Sequence, residues 1–141
     1  MTENIEVRFE KRSGISTAWV KCVVDKVLRY ERSRIRLSIL ITTDREIQKI
    51  NKRFLNHDRP TDVISFETGD LVVSADTARR VAKEIGIPYH EELARYLVHG
   101  TLHLLGYDDG NKKDSERMHK RQEMIVTRLN GRRPKGTASG G

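Results

Sequence analysis

Four short segments of the chain are strand-like, and the first two alternate apolar and polar residues, which is the period of a β-strand with one buried face. They are residues 5–9, 34–42, 62–66 and 70–74. Thr68 and Gly69 separate the last two segments, and this pair is typical of a tight turn. The pattern therefore predicts four strands, of which the last two are joined by a turn.

Five other segments carry apolar residues at the three- and four-residue spacing of a helix with one buried face. Ser16 precedes the first helix as a cap, and Thr43 followed by Glu46 forms a capping box before the second. Gly86 and Gly106 end the third and fourth, because glycine readily adopts the left-handed backbone that closes a helix. The predicted helices are 17–28, 44–54, 76–85, 91–105 and 114–129.

The order of these elements predicts the fold class. Strands dominate the first half of the chain and helices the second, which indicates an α+β fold with about five helices covering a small mixed sheet of about four strands. Neither a repeat nor a linker interrupts residues 1–130, so we expect one domain there. Residues 131–141 read GRRPKGTASGG and contain no acid, which predicts a flexible basic tail.

Composition narrows the class of protein. The 141 residues contain 27 Lys and Arg against 20 Asp and Glu, a formal net charge of +7, and subtracting the three charges of the tail leaves +4. Such a surplus favours a polyanion such as nucleic acid, and it is equally compatible with an ordinary soluble surface. No apolar run approaches the roughly 18–20 residues of a membrane span, and no signal peptide precedes the first strand.

Cysteine usage indicates a reducing compartment. Cys22 is the single cysteine of the chain, so no disulfide forms within it. We interpret Cys22 as a small buried hydrophobe. Together with the missing membrane and export signals, this predicts a cytoplasmic protein.

The segment HGTLHLLGYDD carries the candidate chemistry. His99 and His103 are four residues apart, the spacing by which one helix supplies two imidazoles to a zinc ion. Gly106 lets the chain turn back and brings Asp108 or Asp109 toward them as a third ligand. Three protein ligands leave one position open for a water of lowered pKa. We predict one divalent metal and expect zinc, while two histidines and a carboxylate also suit iron or manganese.

Two alternatives compete with a metal hydrolase site. A bare HxxxH pair occurs by chance in ordinary helices, but here apolar neighbours place the pair on a mostly buried helix, where an unpaired imidazole is costly. The spacing is also that of zinc peptidases, which need a glutamate directly after the first histidine as general base. Gly100 occupies that position, so the sequence argues against a peptidase.

Three motifs in order resemble one known family. HGTLHLLGYDD is similar to HGxLHLxGYDH, the signature of the YbeY family of bacterial endoribonucleases that mature ribosomal RNA. Residues 50–66 resemble the family's LN…D-x-PTDVLSF block, and residues 69–74 resemble its GDIxIS strand. The similarity spans residues 37–124, which is far more specific than a single motif match.

Two positions depart from the family pattern. The family's third metal histidine falls on Asp109, so the resemblance implies a metal held by His99, His103 and Asp109. Asp108 keeps the family's aspartate and is expected to support a ligand or the turn. The family's arginine falls on Leu55, whose side chain cannot hold phosphate.

The loop after Leu55 supplies the remaining candidate residues. Arg59 and Arg53 are the candidates to replace the missing arginine, and His57 is a candidate phosphate contact, although each is more typical of an ordinary surface charge. Asp58, Thr61 and Asp62 are expected either to frame the cleft or to form the turn and the start of the next strand.

The resemblance implies a metal-dependent endoribonuclease, specific for single strands, that acts in ribosomal RNA maturation and ribosome quality control. Its expected partners are single-stranded ribosomal RNA and the small ribosomal subunit or its assembly factors, with no membrane. The rival hypothesis is a weak or inactive ribosome-assembly factor with a structural metal, because Leu55 replaces a charge. Tyr107 is expected to pack beneath the site or to touch the substrate.

Basic residues in two segments form a phosphate-binding track if the fold brings them to one face, and a solvated rim otherwise. They are Arg29, Arg32, Arg34, Arg36, Lys49, Lys52 and Arg53.

Overall fold

The structure is a computed structural model that describes residues 4–10 and 13–130. The predicted capping residues begin and end its helices. Ser16 Oγ accepts a hydrogen bond from the Trp19 N–H at 3.0 Å, and Thr43 Oγ1 accepts one from the Glu46 N–H at 3.2 Å. The elements are β1 (Ile5–Phe9), α1 (Thr17–Tyr30), β2 (Leu37–Thr42), α2 (Asp44–Leu55), β3 (Val63–Phe66), β4 (Asp70–Ser74), α3 (Ala75–Ile85), α4 (Tyr89–Leu104) and α5 (Lys112–Leu129).

One mixed sheet organises the described part of the chain. Its strand order is β1-β2-β4-β3, with β1 and β4 both parallel to β2 and with β3 antiparallel to β4. Parallel neighbours need a crossover connection, which α1 supplies between β1 and β2, and α2 with β3 supplies between β2 and β4. The predicted α+β class, with about four strands and about five helices, is confirmed. The predicted tail at 131–141 lies outside the described residues.

Several details of the sequence prediction are wrong. α1 ends at Tyr30 rather than at residue 28, and α4 spans Tyr89–Leu104 rather than 91–105. β2 begins at Leu37 rather than at residue 34, because pairing with β1 begins where Leu37 faces Ile5. Cys22 is exposed rather than buried. The buried stripe of α1 follows Val20, Val23, Val24 and Val27, and position 22 falls outside this stripe on a helix of 3.6 residues per turn.

The two faces of the sheet are covered unequally. The main core is built from α1, α3, α4 and α5 against one face, whereas α2 covers the other with a small cluster of Ile47, Ile64 and Val72. α4 is the central helix, since it contacts α1, α3, α5, β3 and β4. No helix in the described ranges combines the length and apolar character that a membrane span requires.

α4 lies close against the sheet at Gly100. A Cβ atom there would lie 2.8 Å from Leu71 Cδ2 and 2.9 Å from Val63 Cγ2, which is closer than real Cβ atoms pack. Ser65 Oγ donates to the Gly100 carbonyl at 3.2 Å. The missing side chain therefore sets the depth of α4 on β3 and β4, and with it the position of the histidine that precedes it.

Asp44, the first residue of α2, holds the start of α3. Its carboxylate accepts hydrogen bonds from Ser74 Oγ at 2.7 Å, Thr77 Oγ1 at 2.5 Å and Arg80 Nη1 at 2.7 Å. In return, Asp76 Oδ2 accepts from the Asp44 N–H at 2.9 Å. Burial opposes ionisation of Asp44, but these hydrogen bonds and the Arg80 charge outweigh it and lower the pKa of the carboxyl below its usual value.

We expect Asp44→Asn to destabilise the fold by about 1 kcal/mol at pH 7, the scale of partly exposed hydrogen bonds to a charged group. The folded pKa of Asp44 is depressed, so its contribution is present above the unfolded value of about 3.9 and is lost as the pH falls through the folded pKa. Urea unfolding at pH 7 and at about pH 3 measures this, and the difference from wild type should shrink at the lower pH.

The control for Asp44→Asn is Asp25→Asn. Asp25 forms an ion pair with the exposed Arg29 at 2.8 Å, within one helix. We expect its loss to change stability at pH 7 by less than about 0.5 kcal/mol. Equal effects of the two variants at pH 7 would contradict the role assigned to Asp44.

We expect Gly100→Ala to destabilise the fold by about 1–2 kcal/mol. Overpacking against Leu71 and Val63 costs about 1–3 kcal/mol, and the higher helix propensity of alanine recovers up to about 1 kcal/mol. Chemical denaturation measures the change. The matched control is Gly110→Ala, where the new Cβ meets nothing closer than the Asp108 carboxylate at 3.4 Å. A Gly100→Ala protein as stable as this control would refute the close-packing argument.

Candidate active site

The two histidines lie at the C-terminal end of α4, where a glycine turn ends the helix. His99 is half-buried, and His103 is exposed in the last turn. The Gly106 N–H donates to the His103 carbonyl at 3.1 Å, and the Tyr107 N–H donates to the Leu102 carbonyl at 3.1 Å. With Gly106 at φ +103°, this is a Schellman motif, which satisfies the last carbonyls of a helix. The chain therefore turns back at the predicted glycine.

His99 contacts a residue of α5 that sequence reasoning missed. Its Nδ1 lies 2.8 Å from Oε1 of Gln122, a side chain only 6% exposed. The sequence carried a weak signal for Gln122. It is a polar residue at an interior position of the α5 apolar pattern, between Met118 and Ile125. Its partner, however, is 23 positions away in the chain.

The two carboxylates that follow the turn are both exposed. Asp108 Oδ1 accepts from the Gly110 N–H at 3.1 Å, a bond that forms the turn itself. Within residues 4–10 and 13–130, no three His, Cys, Asp or Glu side chains form a group that could hold a metal ion. The structure thus places His99 and His103 one turn apart on α4 and does not close Asp109 onto them, so the three-ligand set stays a prediction.

Tyr107 holds the turn toward α1 instead. Its hydroxyl donates to Glu31 Oε1 at 2.9 Å, and Arg121 Nε donates to Glu31 Oε2 at 2.6 Å. The ring is half-buried against the main core, and the Arg117 guanidinium lies 5.1 Å from the ring centroid. Burial and the hydrogen bond to the Glu31 carboxylate raise the pKa of Tyr107. The structure therefore places Tyr107 in a packing role, which orients the turn that carries Asp109.

In the loop between α2 and β3, the carboxylates of Asp58 and Asp62 accept hydrogen bonds from residues close by in the chain. Asp58 Oδ1 accepts from Gln48 Nε2 at 3.0 Å, and Asp58 Oδ2 lies 3.7 Å from Lys52 Nζ. The Gln48 hydrogen bond and the Lys52 charge lower the pKa of Asp58. Asp62 Oδ1 accepts from the Val63 N–H at 2.7 Å, so this carboxylate begins β3.

The other loop residues differ in exposure. Thr61 Oγ1 donates to Asp62 Oδ1 at 3.4 Å and is part of the same strand start. His57 and Arg59 expose their side chains. The buried Asn51 of α2 donates from Nδ2 to the Arg59 carbonyl at 2.9 Å and anchors the loop backbone. This assigns Asn51, part of the motif noted in the sequence, a structural role that sequence reasoning left open.

The loop and the histidine pair belong to neighbouring elements. The loop leads into β3, which packs on α4 at Gly100. In the described ranges, no hydrogen bond or ion pair joins loop residues 56–62 to His99, His103 or Asp109. Leu55, at the family's arginine position, ends α2 with its side chain 45% exposed.

The basic residues for which the sequence left open either a single track or a solvated rim lie in two separate places. Lys49, Lys52 and Arg53 belong to α2, on the face of the sheet opposite the main core. At the junction of α1 and β2, a cavity of about 610 Å³ is lined by Arg29, Arg32 and Arg34 among others. A second cavity of about 420 Å³ adjoins the glycine turn after α4. It is lined by Tyr107, Arg117, Lys120, Arg121 and Met124.

A solved structure shares this fold. It is the solution structure of a Thermotoga maritima protein, with a TM-score of 0.66 and 25% sequence identity, and the match covers 94% of this chain and 99% of that one. Residues 4–10 and 13–130 therefore define an α+β protein with four strands, five helices and an HxxxH helix that ends in a glycine turn.

The family is shown by sequence. The family model described as Endoribonuclease YbeY matches residues 3–130. The Endoribonuclease YbeY of Syntrophotalea carbinolica is 38% identical over 136 residues, covering 85% of this chain and 91% of the relative. That of Persephonella marina is 38% identical over 130 residues, covering 82% and 85% respectively. The chain belongs to the YbeY family.

Proposed function

We propose that this protein is a metal-dependent endoribonuclease that cleaves single-stranded RNA in ribosomal RNA maturation and ribosome quality control. The observation that carries the proposal is the histidine pair at the glycine-turned end of α4, in a chain whose relatives are named Endoribonuclease YbeY. The cytoplasm and the small ribosomal subunit or its assembly factors are the proposed location and partners.

The donor set fits a divalent ion. His99, His103 and Asp109 would hold it, since zinc takes imidazole nitrogen and carboxylate oxygen ligands. When bound, such an ion supplies a Lewis acid and a water of lowered pKa. The hydrogen bond between Tyr107 and Glu31 orients the turn that carries Asp109. The backbone position of Asp109 is therefore held, while its carboxylate is exposed.

The chain's own cations support an RNA substrate. Arg117 and Lys120 are exposed in the cavity beside Tyr107, next to the turn that follows the histidines. Positive groups there attract phosphates through counterion release. We assign the phosphate contacts of the missing arginine to the exposed Arg59 and His57, on the loop that begins directly after Leu55 and Asn56.

One observation favours the alternative of an assembly factor with a weak or lost activity. Leu55 and its neighbour Phe54 are 45% and 60% exposed, so an apolar pair stands where the family has a cation. Such a pair suits contact with another macromolecule better than contact with phosphate. In this alternative the metal is structural.

A peptidase is disfavoured on geometric grounds. Residue 100, which holds the general base in the zinc peptidases with this histidine spacing, faces the sheet here. A Cβ atom at Gly100 already overlaps Leu71 and Val63, so a glutamate would enter the core instead of the site. The position has no room for that base.

We expect wild-type protein to bind one equivalent of zinc. Asp109→Ala should bind it more than about 100-fold more weakly, because losing a direct ligand costs more than the 10- to 100-fold effect of losing an outer partner. Asp109→His restores the family's ligand and should bind zinc at least as tightly as wild type. Competition with a zinc-binding dye measures all three proteins.

Asp108→Ala is the matched control for this zinc experiment, since the Asp108 carboxylate is committed to the Gly110 N–H. Its zinc affinity should stay within about threefold of wild type, a change of less than 1 kcal/mol. If Asp109→Ala and Asp109→His both bind zinc as wild type does, while Asp108→Ala does not, the ligand is Asp108.

We expect zinc-loaded wild type to cleave an unstructured RNA oligonucleotide, and His103→Ala to lose about 100-fold or more of that rate. A bound metal supplies several kcal/mol of transition-state stabilisation, and each 1.36 kcal/mol is tenfold in rate. His90→Ala, at the other end of α4, should cleave at the wild-type rate. Duplex RNA of the same sequence should resist all three proteins.

The same assay separates the two candidate functions. Equal residual cleavage by wild type and His103→Ala would reject the enzyme hypothesis. An inactive wild type together with an active Leu55→Arg variant would instead support the assembly-factor alternative, because it would identify the lost arginine as the missing part of the chemistry.

A further inference from the structure

We propose that Gln122 is a positioning residue, which holds the His99 ring in the tautomer whose Nε2 is free to bind a metal. The inference deepens the proposed function and rests on His99 being a ligand. It concerns a residue of α5 that reaches the site only through the packing of α5 on α4.

The amide of Gln122 is bonded at both ends. Oε1 lies 2.8 Å from His99 Nδ1, and Nε2 donates to Glu123 Oε2 at 2.9 Å. The side chain is 6% exposed, so water does not readily replace either partner. The environment of each end therefore decides which way the amide points.

Glu123 decides the orientation of the amide. An ionised carboxylate only accepts hydrogen bonds, so the amide NH₂ of Gln122 must face Glu123. The reverse orientation would place the amide oxygen against a carboxylate oxygen, where neither can donate to the other. The oxygen of Gln122 consequently faces His99, and the ring must donate to it from Nδ1. In a neutral imidazole, this leaves the lone pair on Nε2.

Arg95 keeps Glu123 ionised. Arg95 Nε lies 2.7 Å from Glu123 Oε2, and Arg95 Nη2 lies 2.9 Å from Oε1, a two-point pair. Burial raises the pKa of Glu123, but the hydrogen bonds from Arg95 and Gln122 and the Arg95 charge outweigh it and lower the pKa below its usual value. Glu92 Oε1 also accepts from Arg95 Nη1 at 2.8 Å and holds the guanidinium on α4.

These contacts form one continuous chain of hydrogen bonds, Arg95–Glu123–Gln122–His99, which begins and ends on α4 and passes through α5. Each member has its donor and acceptor roles set by the previous one. Outer partners of this kind fix the tautomer and the ring orientation of metal-binding histidines, and their loss typically costs 10- to 100-fold in metal affinity.

The direct test is the tautomer of His99 in metal-free protein at neutral pH. In protein labelled with ¹⁵N-histidine, long-range proton–nitrogen correlation spectra distinguish a protonated from an unprotonated ring nitrogen. We expect wild-type His99 to carry its proton on Nδ1. In Gln122→Met, which keeps the length of the side chain but removes the acceptor, we expect the proton on Nε2 in a substantial fraction of molecules. A wild-type ring protonated on Nε2 would overturn the proposal.

The second measurement is affinity for zinc alone, by dye competition. We expect Gln122→Met to bind zinc 10- to 100-fold more weakly than wild type. Gln122→Glu keeps an acceptor for Nδ1. Beside the ionised Glu123 the new carboxyl should hold a proton, which restores the donor to Glu123, so this variant should recover most of the affinity and the Nδ1-protonated ring. The matched control is Gln48→Met, which removes the other glutamine of the described ranges, bonded to Asp58, and should leave both readouts unchanged.

The outcomes separate this inference from the proposed function. Wild type and Gln122→Met with equal zinc affinity would reject the positioning role and leave the metal site standing. A wild type that binds no zinc would reject the metal site, and with it the basis of this inference. If circular dichroism shows that Gln122→Met does not fold, the wild-type tautomer and the zinc affinity of Gln122→Glu still test the proposal. A Gln122→Glu protein that loses zinc affinity although its His99 ring is protonated on Nδ1 would contradict it.

Discussion

The contact between α4 and the sheet at Gly100 is the constraint on which the rest of the structure depends. Because residue 100 has no side chain, α4 lies against Leu71 and Val63 at a depth where a Cβ atom would already be too close to both. From this depth α4 meets α1, α3 and α5 in the main core. The histidines before and after Gly100 are thereby placed on a helix that cannot shift or rotate without opening the core.

Two groups of charged hydrogen bonds complete what apolar packing leaves undetermined. In the first group, Asp44 joins the starts of α2 and α3. In the second group, Arg95 joins α4 to α5 by bonding Glu123, which in turn accepts a hydrogen bond from Gln122. Apolar burial is non-directional, whereas these bonds have required donors and acceptors. They therefore set the orientation of side chains that packing alone would leave free.

Much of the fold and part of the site are local in origin and were predictable. Ser16 and Thr43 cap their helices because a side-chain oxygen satisfies a nearby N–H, and Gly106 turns the chain after His103 for equally local reasons. The prediction that Cys22 is buried is wrong, because burial on α1 depends on position relative to the buried stripe and not on residue type. Gln122 was missed because its role depends on a partner in another helix.

By itself, the sequence determined the elements and the α+β class, which follow from periodicity and capping chemistry, and it carried the three motifs by which the chain resembles the YbeY family. Only the tertiary structure decided that α2 covers the opposite face of the sheet, which separates its basic residues from those of α1. It also decided that Tyr107 bonds Glu31 and that His99 meets Gln122. Partners distant in the chain are chosen by how helices pack on the sheet, and packing depends on many contacts at once, which no local pattern contains.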